Sequence, residues 1–326
     1  MAFRLKADES VRRGLRRLAA KELKSARGRL ARAKRPSDEA IHEARKSLKK
    51  TRAILQLIDA DRGRRLGGSG KTLRAVNRTL SALRDCEAMV EILEKLKTRA
   101  PQLASEHTVA RVRRRLAAEK REAMESAGRE GAWKKVDRDL RRLRKSARKW
   151  RQAHTGFGAL APGLRRAHRC GRKALARARK QQGAADFHEW RKAVKALWYG
   201  LRLLQGRSPR IDRDAAALRR AETSLGDDHN VVVLCEALAN DPSVCRTAED
   251  VDRVRLAGDR YQCEMRERAL KAAGGIYALK SRAYVRAIKQ DWKRSGRWTR
   301  TASTKSRTRS TTSRRRSTSS KRSSSR

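Results

Sequence analysis

Apolar residues along this chain recur at intervals of three and four, and the polar positions between them are mostly cationic. In IHEARKSLKKTRAILQLI, Ile41 to Ile58, a step of about 100° per residue gathers Ile41, Ala44, Leu48, Thr51, Leu55 and Ile58 on one face. The opposite face carries His42, Arg45, Lys46, Lys49, Lys50 and Arg52. The pattern returns in FHEWRKAVKALWYGLRLL, where Phe187, Trp190, Val194, Leu197, Leu201 and Leu204 oppose His188, Arg191, Lys192, Lys195 and Arg202. Alternating β-branched runs are absent apart from Val231 to Val233, and proline is rare, so the spacing predicts an all-α chain.

Helices are expected over Asp8–Ala33, Asp38–Ile58, Lys71–Leu96 with room for a break near Arg84, Glu106–Ser126, Ala132–His154 and Pro162–Lys180. The second half gives Asp186–Leu204, Arg213–Leu225, His229–Leu238, Glu249–Ala272 and Tyr277–Trp292. Pro36-Ser37-Asp38 opens one helix with acids in its first turn, and Asp186 with Glu189 resembles a capping box. Gly67 to Gly70 reads as a loop. From Gly296 the chain is Ser, Thr, Arg and Lys without periodicity, which predicts a disordered basic tail over 296–326.

The two basic helices lie 146 residues apart (His42 and His188), far beyond a solenoid period. A second match, LSALRDCEAMVEIL from Leu80 against LGDDHNVVVLCEAL from Leu225, follows in the same order. Duplication of a unit of about four helices is expected, with repeats over roughly 1–130 and 131–295.

Charge narrows the function. Lys and Arg number 86 against 35 Asp and Glu, a formal net charge of +51. Such a balance calls for a polyanionic partner. The tail holds only eleven of these cations, so the folded part is the principal cation. Along one helix face, cations recur every turn, about 5.4 Å. Guanidinium forks and ammonium groups suit phosphate oxygens through charge-assisted hydrogen bonds. Five cysteines without CxxC or metal-ligand spacing suggest free thiols in a reducing compartment. No signal peptide or membrane-spanning run is read.

These residues carry a resemblance. IHEARKSLKKTR and FHEWRKAVKALWY are similar to the two signature helices of the CHAD family, an α-helical domain named for its histidines. His42, Arg45, Lys46 and Lys49 match its H-x-x-R-[KR]-x-x-[KR] pattern, as do His188, Arg191, Lys192 and Lys195. Arg84-Asp85 and Leu225-Gly226 with His229-Asn230 resemble its second motif. Ser81, Asn230 and Trp198 depart from the usual Gly, Asp and basic residue.

The resemblance implies two tandem four-helix-bundle-like units around a basic channel. It implies non-enzymatic binding of inorganic polyphosphate, often at polyphosphate granules, while the free thiols point to the cytoplasm and the basic tail would suit tethering to the nucleoid. The expected binding residues are His42, Arg45, Lys46, Lys49, Arg52, His188, Arg191, Lys192, Lys195 and Arg202, with Lys50, Arg84 and His229 less central. The histidines are expected to lose basicity beside empty cationic sites and regain it with bound phosphate.

Other chemistries lack support. His42-Glu43 and His188-Glu189 begin like HExxH but have no second histidine, and Asp227, Asp228 and His229 read better as linkers than as cation ligands. No nucleotide loop or nucleophile elbow occurs, so neither an enzyme, a cofactor nor a metal is expected. Aromatics make up 4% of residues and do not interleave with the basic stripes, against base stacking. Nonspecific DNA or RNA binding through phosphate contacts, aided by the tail, is the alternative.

Overall fold

The computed structural model of the protein describes residues 3–30, 36–63, 68–102, 106–241, 245 and 247–294, with the backbone alone at 82–85. All regular structure among these residues is helical. The helices are α1 (Val11–Leu30), α2 (Asp38–Arg62), α3 (Ser69–Arg99), α4 (Glu106–Arg129), α5 (Ala132–Ala147), α6 (Ala161–Gln181), α7 (Ala184–Arg202), α8 (Pro209–Asn240), α9 (Ala248–Ala273) and α10 (281–294). Short 3-10 turns occupy Gly156–Ala159 and Gly274–Tyr277. The expected disordered tail and Gly67 lie outside the described residues, and Ser69 and Gly70, expected in a loop, form the start of α3.

Local chemistry accounts for several boundaries. Ser37 caps α2 by accepting from the Ala40 amide at 3.2 Å, and Gly63 closes that helix in the left-handed region at φ 68°. Ser208 and Thr247 cap α8 and α9 in the same way. The capping box expected at Asp186 does not form. α7 starts from Gly183, and Asp186 lies in its first turn, 3.5 Å from the Arg177 guanidinium of α6.

Two helices expected over Arg213–Leu225 and His229–Leu238 are one, α8. Gly226-Asp227-Asp228 would suit a turn, but distant groups take up the carboxylates. Asp227 accepts from Lys95 Nζ at 2.7 Å and Tyr261 Oη at 2.9 Å, and Asp228 from Arg266 Nε at 2.6 Å and Gln262 Nε2 at 3.1 Å. With their acceptors used laterally, these side chains do not compete with the helix backbone. α3 likewise runs through the break allowed near Arg84.

The helix order repeats: α1–α5 precede α6–α10 in matching succession. α5, which the sequence offset assigned to the second repeat, packs on α1, α3 and α4. The halves share two cores. The larger lies among α1, α2, α5, α6, α7 and the first parts of α3 and α8, with Trp150 and Trp190 fully enclosed. The smaller joins the later parts of α3 and α8 to α4 and α9, through Ile92, Leu93, Val112, Leu234 and Val254. Each enclosed Leu or Ile contributes about 1.5–3 kcal/mol, and α3 and α8 draw on both cores.

α6 approaches α2 closely because Gly163 has no side chain. A Cβ there would stand 2.4 Å from Leu57 Cδ2 and 2.9 Å from Leu57 Cα. At Gly28, also helical, a Cβ would meet nothing within 4 Å. Gly28→Ala should therefore stabilise by up to about 1 kcal/mol through helix propensity. Gly163→Ala should lose more than that gain, from an overpacking cost of about 1–3 kcal/mol. Thermal melts of both variants decide the matter, and a Tm increase in both would contradict a rigid α2–α6 contact.

Candidate functional site

α2 and α7 carry the two basic faces and pack on each other. Their apolar residues Ile41, Leu48, Ile58, Trp190, Val194 and Leu197 are at most 1% exposed, so the helices cannot rotate to spread their cations into solvent. Arg45 and Lys49 of α2 consequently converge on Arg191 and Lys195 of α7. These are the charges that most perturb one another.

Burial, and then Lys195 and Arg45 nearby, pull the Lys49 ammonium from its ordinary 10.5 down to about 7. Lys195 is lowered by burial and by Arg191, and Arg191 is lowered by burial. A part-buried acid of α8 answers this cluster. Glu222 of α8 accepts from Lys195 Nζ at 2.9 Å and lies 4.0 Å from Arg191 Nη2, and all three side chains are 18–19% exposed. Burial would raise the Glu222 carboxyl, but Lys195 and Arg191 outweigh it and hold it low.

The histidines differ. The His188 and His229 rings stand 4.3 Å apart beside the cluster, and His188 Nδ1 is buried without a hydrogen-bond partner among the described residues. Burial, reinforced by Arg191, lowers both and brings His229 to about 4. The direction expected from the sequence is found, with desolvation the larger cause. His42 is exposed. Arg84, which stands in register with His229, has its side chain outside the described residues.

The remaining expected residues do not join this cluster. Lys46 and Lys192 are 48% and 53% exposed and pair one turn back with Glu43 and Glu189. Lys50 reaches both oxygens of the buried Glu22 at 3.2 Å. Lys50 and Arg202 both lie over the Phe3 ring, at 5.7 and 5.4 Å, and Arg202 also covers Trp198 at 5.1 Å. Trp198, where the resemblance calls for a cation, thus supports one from the next turn. A single stripe divides in this way because steps of about 100° turn Lys46 away from Arg45 and Lys50 away from Lys49, toward different neighbours.

Arg52 and Lys192 face a second basic surface on the other side of the α2–α7 pair. It is a groove of about 1080 Å³ between α2, α6, α7 and the start of α3. Sequence reasoning missed its principal contributors, Arg165, Arg166, Arg169 and Lys173 of α6. They belong to no duplicated motif and registered only in the net charge. None of these four makes an ion pair among the described residues, and no aromatic residue lines the groove.

Ser81 and Gly226 occupy matching positions beneath the two arginines. Ser81 Oγ accepts from Arg45 Nη2 at 3.0 Å and donates to the Asn77 carbonyl at 2.9 Å. A Cβ on Gly226 would lie 3.6 Å from Arg191 Nη2. The serine that departs from the motif therefore anchors its arginine, while Gly226 offers Arg191 no such hydroxyl and a Cβ there would be in ordinary contact.

Asp227 and Asp228, weighed above as cation ligands, are occupied by the contacts that keep α8 continuous. The described residues contain no group of three His, Cys, Asp or Glu arranged to hold a metal ion. All five cysteines are free thiols. No described helix is long and apolar enough to cross a membrane.

Comparison with known proteins agrees with this architecture. Residues 10–239 match the CHAD domain. No curated protein matches the chain. Among solved structures, the chain is similar to the crystal structure of the CHAD domain from the plant Ricinus communis, with 19% identity and a TM-score of 0.64 over 86% of this chain and 96% of that one. It is also similar to PptA from Streptomyces chartreusis, with 16% identity and a TM-score of 0.53 over 87% and 100% of the respective chains. At these identities the likeness speaks for the fold. The match over residues 10–239 spans more than two thirds of the sequence, and the chain belongs to the CHAD domain family.

Proposed function

We propose that this protein binds inorganic polyphosphate without catalysis, through the cluster of Arg45, Lys49, Arg191 and Lys195. The carrying observation is the convergence of four part-buried cations from two matching helices, three of them facing Glu222. Like charges held together out of water are costly, and an anion with closely spaced charges relieves that cost. His188 and His229, neutral when the site is empty, add donors or charge once phosphate arrives. The groove over α6 extends the basic surface for a longer chain, and the lack of aromatics there favours a ligand without bases to stack.

The test is the affinity of the full chain for long-chain polyphosphate at about 150 mM salt, with and without excess duplex DNA, repeated on a chain ending at Ser295. Tight binding that survives DNA and loss of the tail is expected. Binding that DNA abolishes, or that disappears with the tail, would transfer the function to nonspecific nucleic-acid association.

A further inference from the structure

The two halves of the cluster are unequal at one position. The register that aligns Leu80 with Leu225 places Asn77 opposite Glu222. Asn77 has a buried side-chain oxygen without a hydrogen-bond partner among the described residues and donates weakly to Ser81 at 3.4 Å. Glu222 instead presents a carboxylate to Lys195 at 2.9 Å and to Arg191 at 4.0 Å. Arg191 Nε and His188 Nδ1, on the same helix, remain buried and without partners among the described residues.

We propose that Glu222 is an internal stand-in for a ligand phosphate, which a polyanion must displace to engage Lys195 and Arg191. The inference rests on the polyphosphate reading for the identity of the ligand, but the displacement itself applies to any multivalent oxyanion.

A carboxylate fits this role. It is small enough to accept from Lys195 yet leaves Arg191 at a distance where the interaction is longer than a direct hydrogen bond. Arg191 Nε therefore stays unsatisfied, at the desolvation cost of a buried polar group. A phosphate brings more acceptor oxygens and more charge. The exchange replaces a partial solution with a fuller one, and its price is the repulsion between ligand and Glu222. Glu222 would thus set a threshold that monovalent and short anions fail to cross, making it a specificity-determining residue.

Three variants read this. With long-chain polyphosphate, Glu222→Gln is expected to bind about three- to tenfold more tightly than wild type, with a salt dependence steeper by about one unit in log K against log salt, because one more cation is left for the ligand to neutralise. Asn77→Asp should weaken binding by a similar factor and make the slope shallower. Glu222→Asp, which keeps the charge, should stay near wild type. Equal or weaker binding by a folded Glu222→Gln with an unchanged slope would overturn the inference and leave Glu222 as scaffolding.

Inorganic sulfate provides a readout independent of polyphosphate. The Tm of Glu222→Gln should rise more on adding sulfate than that of wild type, from a lower starting value. If wild type ignores polyphosphate, the proposed function fails, and the sulfate comparison still decides on Glu222, an equal rise in both proteins counting against displacement.

Discussion

Replacing Arg45 and Arg191 together by glutamine should lower the affinity for long-chain polyphosphate by about 10²- to 10³-fold. Each guanidinium comes from a matching position on α2 or α7, is held beside an equivalent α3 or α8 residue, and points into the same cluster. A hydrogen bond to a charged partner contributes about 1.5–3 kcal/mol. Two such losses at full value would give about 10²- to 10⁴-fold, and the stated range takes the lower part because the residues share a network and their losses do not add in full. Glutamine preserves much of the side-chain volume, and removing cations from a like-charged cluster should not unfold the protein. A Tm at or above the wild-type value in the absence of ligand would show that binding, not folding, was lost. The control is Lys46→Gln, whose ammonium already lies on Glu43 in solvent. Affinity within about threefold of wild type is expected there, since exposed pairs are worth about 0–1 kcal/mol. Titrations at several salt concentrations settle the comparison. If the double arginine variant binds like the lysine control, the cluster is not the site.

The arginines and lysines of this prediction were legible because duplication exposes itself locally: two segments with one periodicity and the same cations at the same intervals. Helix type and core faces followed from the same signal, and Ser37 announced its cap. What stayed hidden depends on partners remote in sequence. Asp227 and Asp228 resemble turn residues until Lys95, Tyr261, Gln262 and Arg266 are brought beside them. Glu222 is one acid on a mixed helix, and its importance arises only when α8 lies against α7. A helical wheel also treats one face as one surface. The fold instead divides the cations among the cluster, the Phe3 platform and the α6 groove, because the neighbouring helices differ around the circumference.

Lys49 should govern the pH dependence of binding. In an unfolded chain its amine remains charged to about pH 10, whereas in the empty folded site it titrates near 7. Below pH 7 both states hold the proton, and the folded protein bears the full cost of a buried cation facing Lys195, Arg45 and Arg191. As pH rises from about 7 toward 10, the folded state sheds the proton first, so this group's destabilisation is progressively relieved. A phosphate chain reverses the preference by favouring the charged amine. Binding at pH 7.5 should therefore take up a measurable fraction of a proton, from the share of Lys49 that is neutral when its midpoint is near 7. Affinity should decline as pH rises above 7. His188 and His229 act in the same sense but at lower pH, because burial has moved both below the usual histidine range. Lys49→Arg separates the two contributions: it keeps the charge, and it should abolish most of the uptake at pH 7.5 while leaving the dependence below pH 6.5. Calorimetry in buffers of different ionisation enthalpy counts the protons directly. Uptake near zero in wild type, or equal uptake in Lys49→Arg, would remove Lys49 from this role. Lys49→Met should complete the contrast, with a ligand-free protein more stable than wild type at pH 6 and a weaker grip on polyphosphate, since the charge that burdens the empty fold is the one the ligand needs.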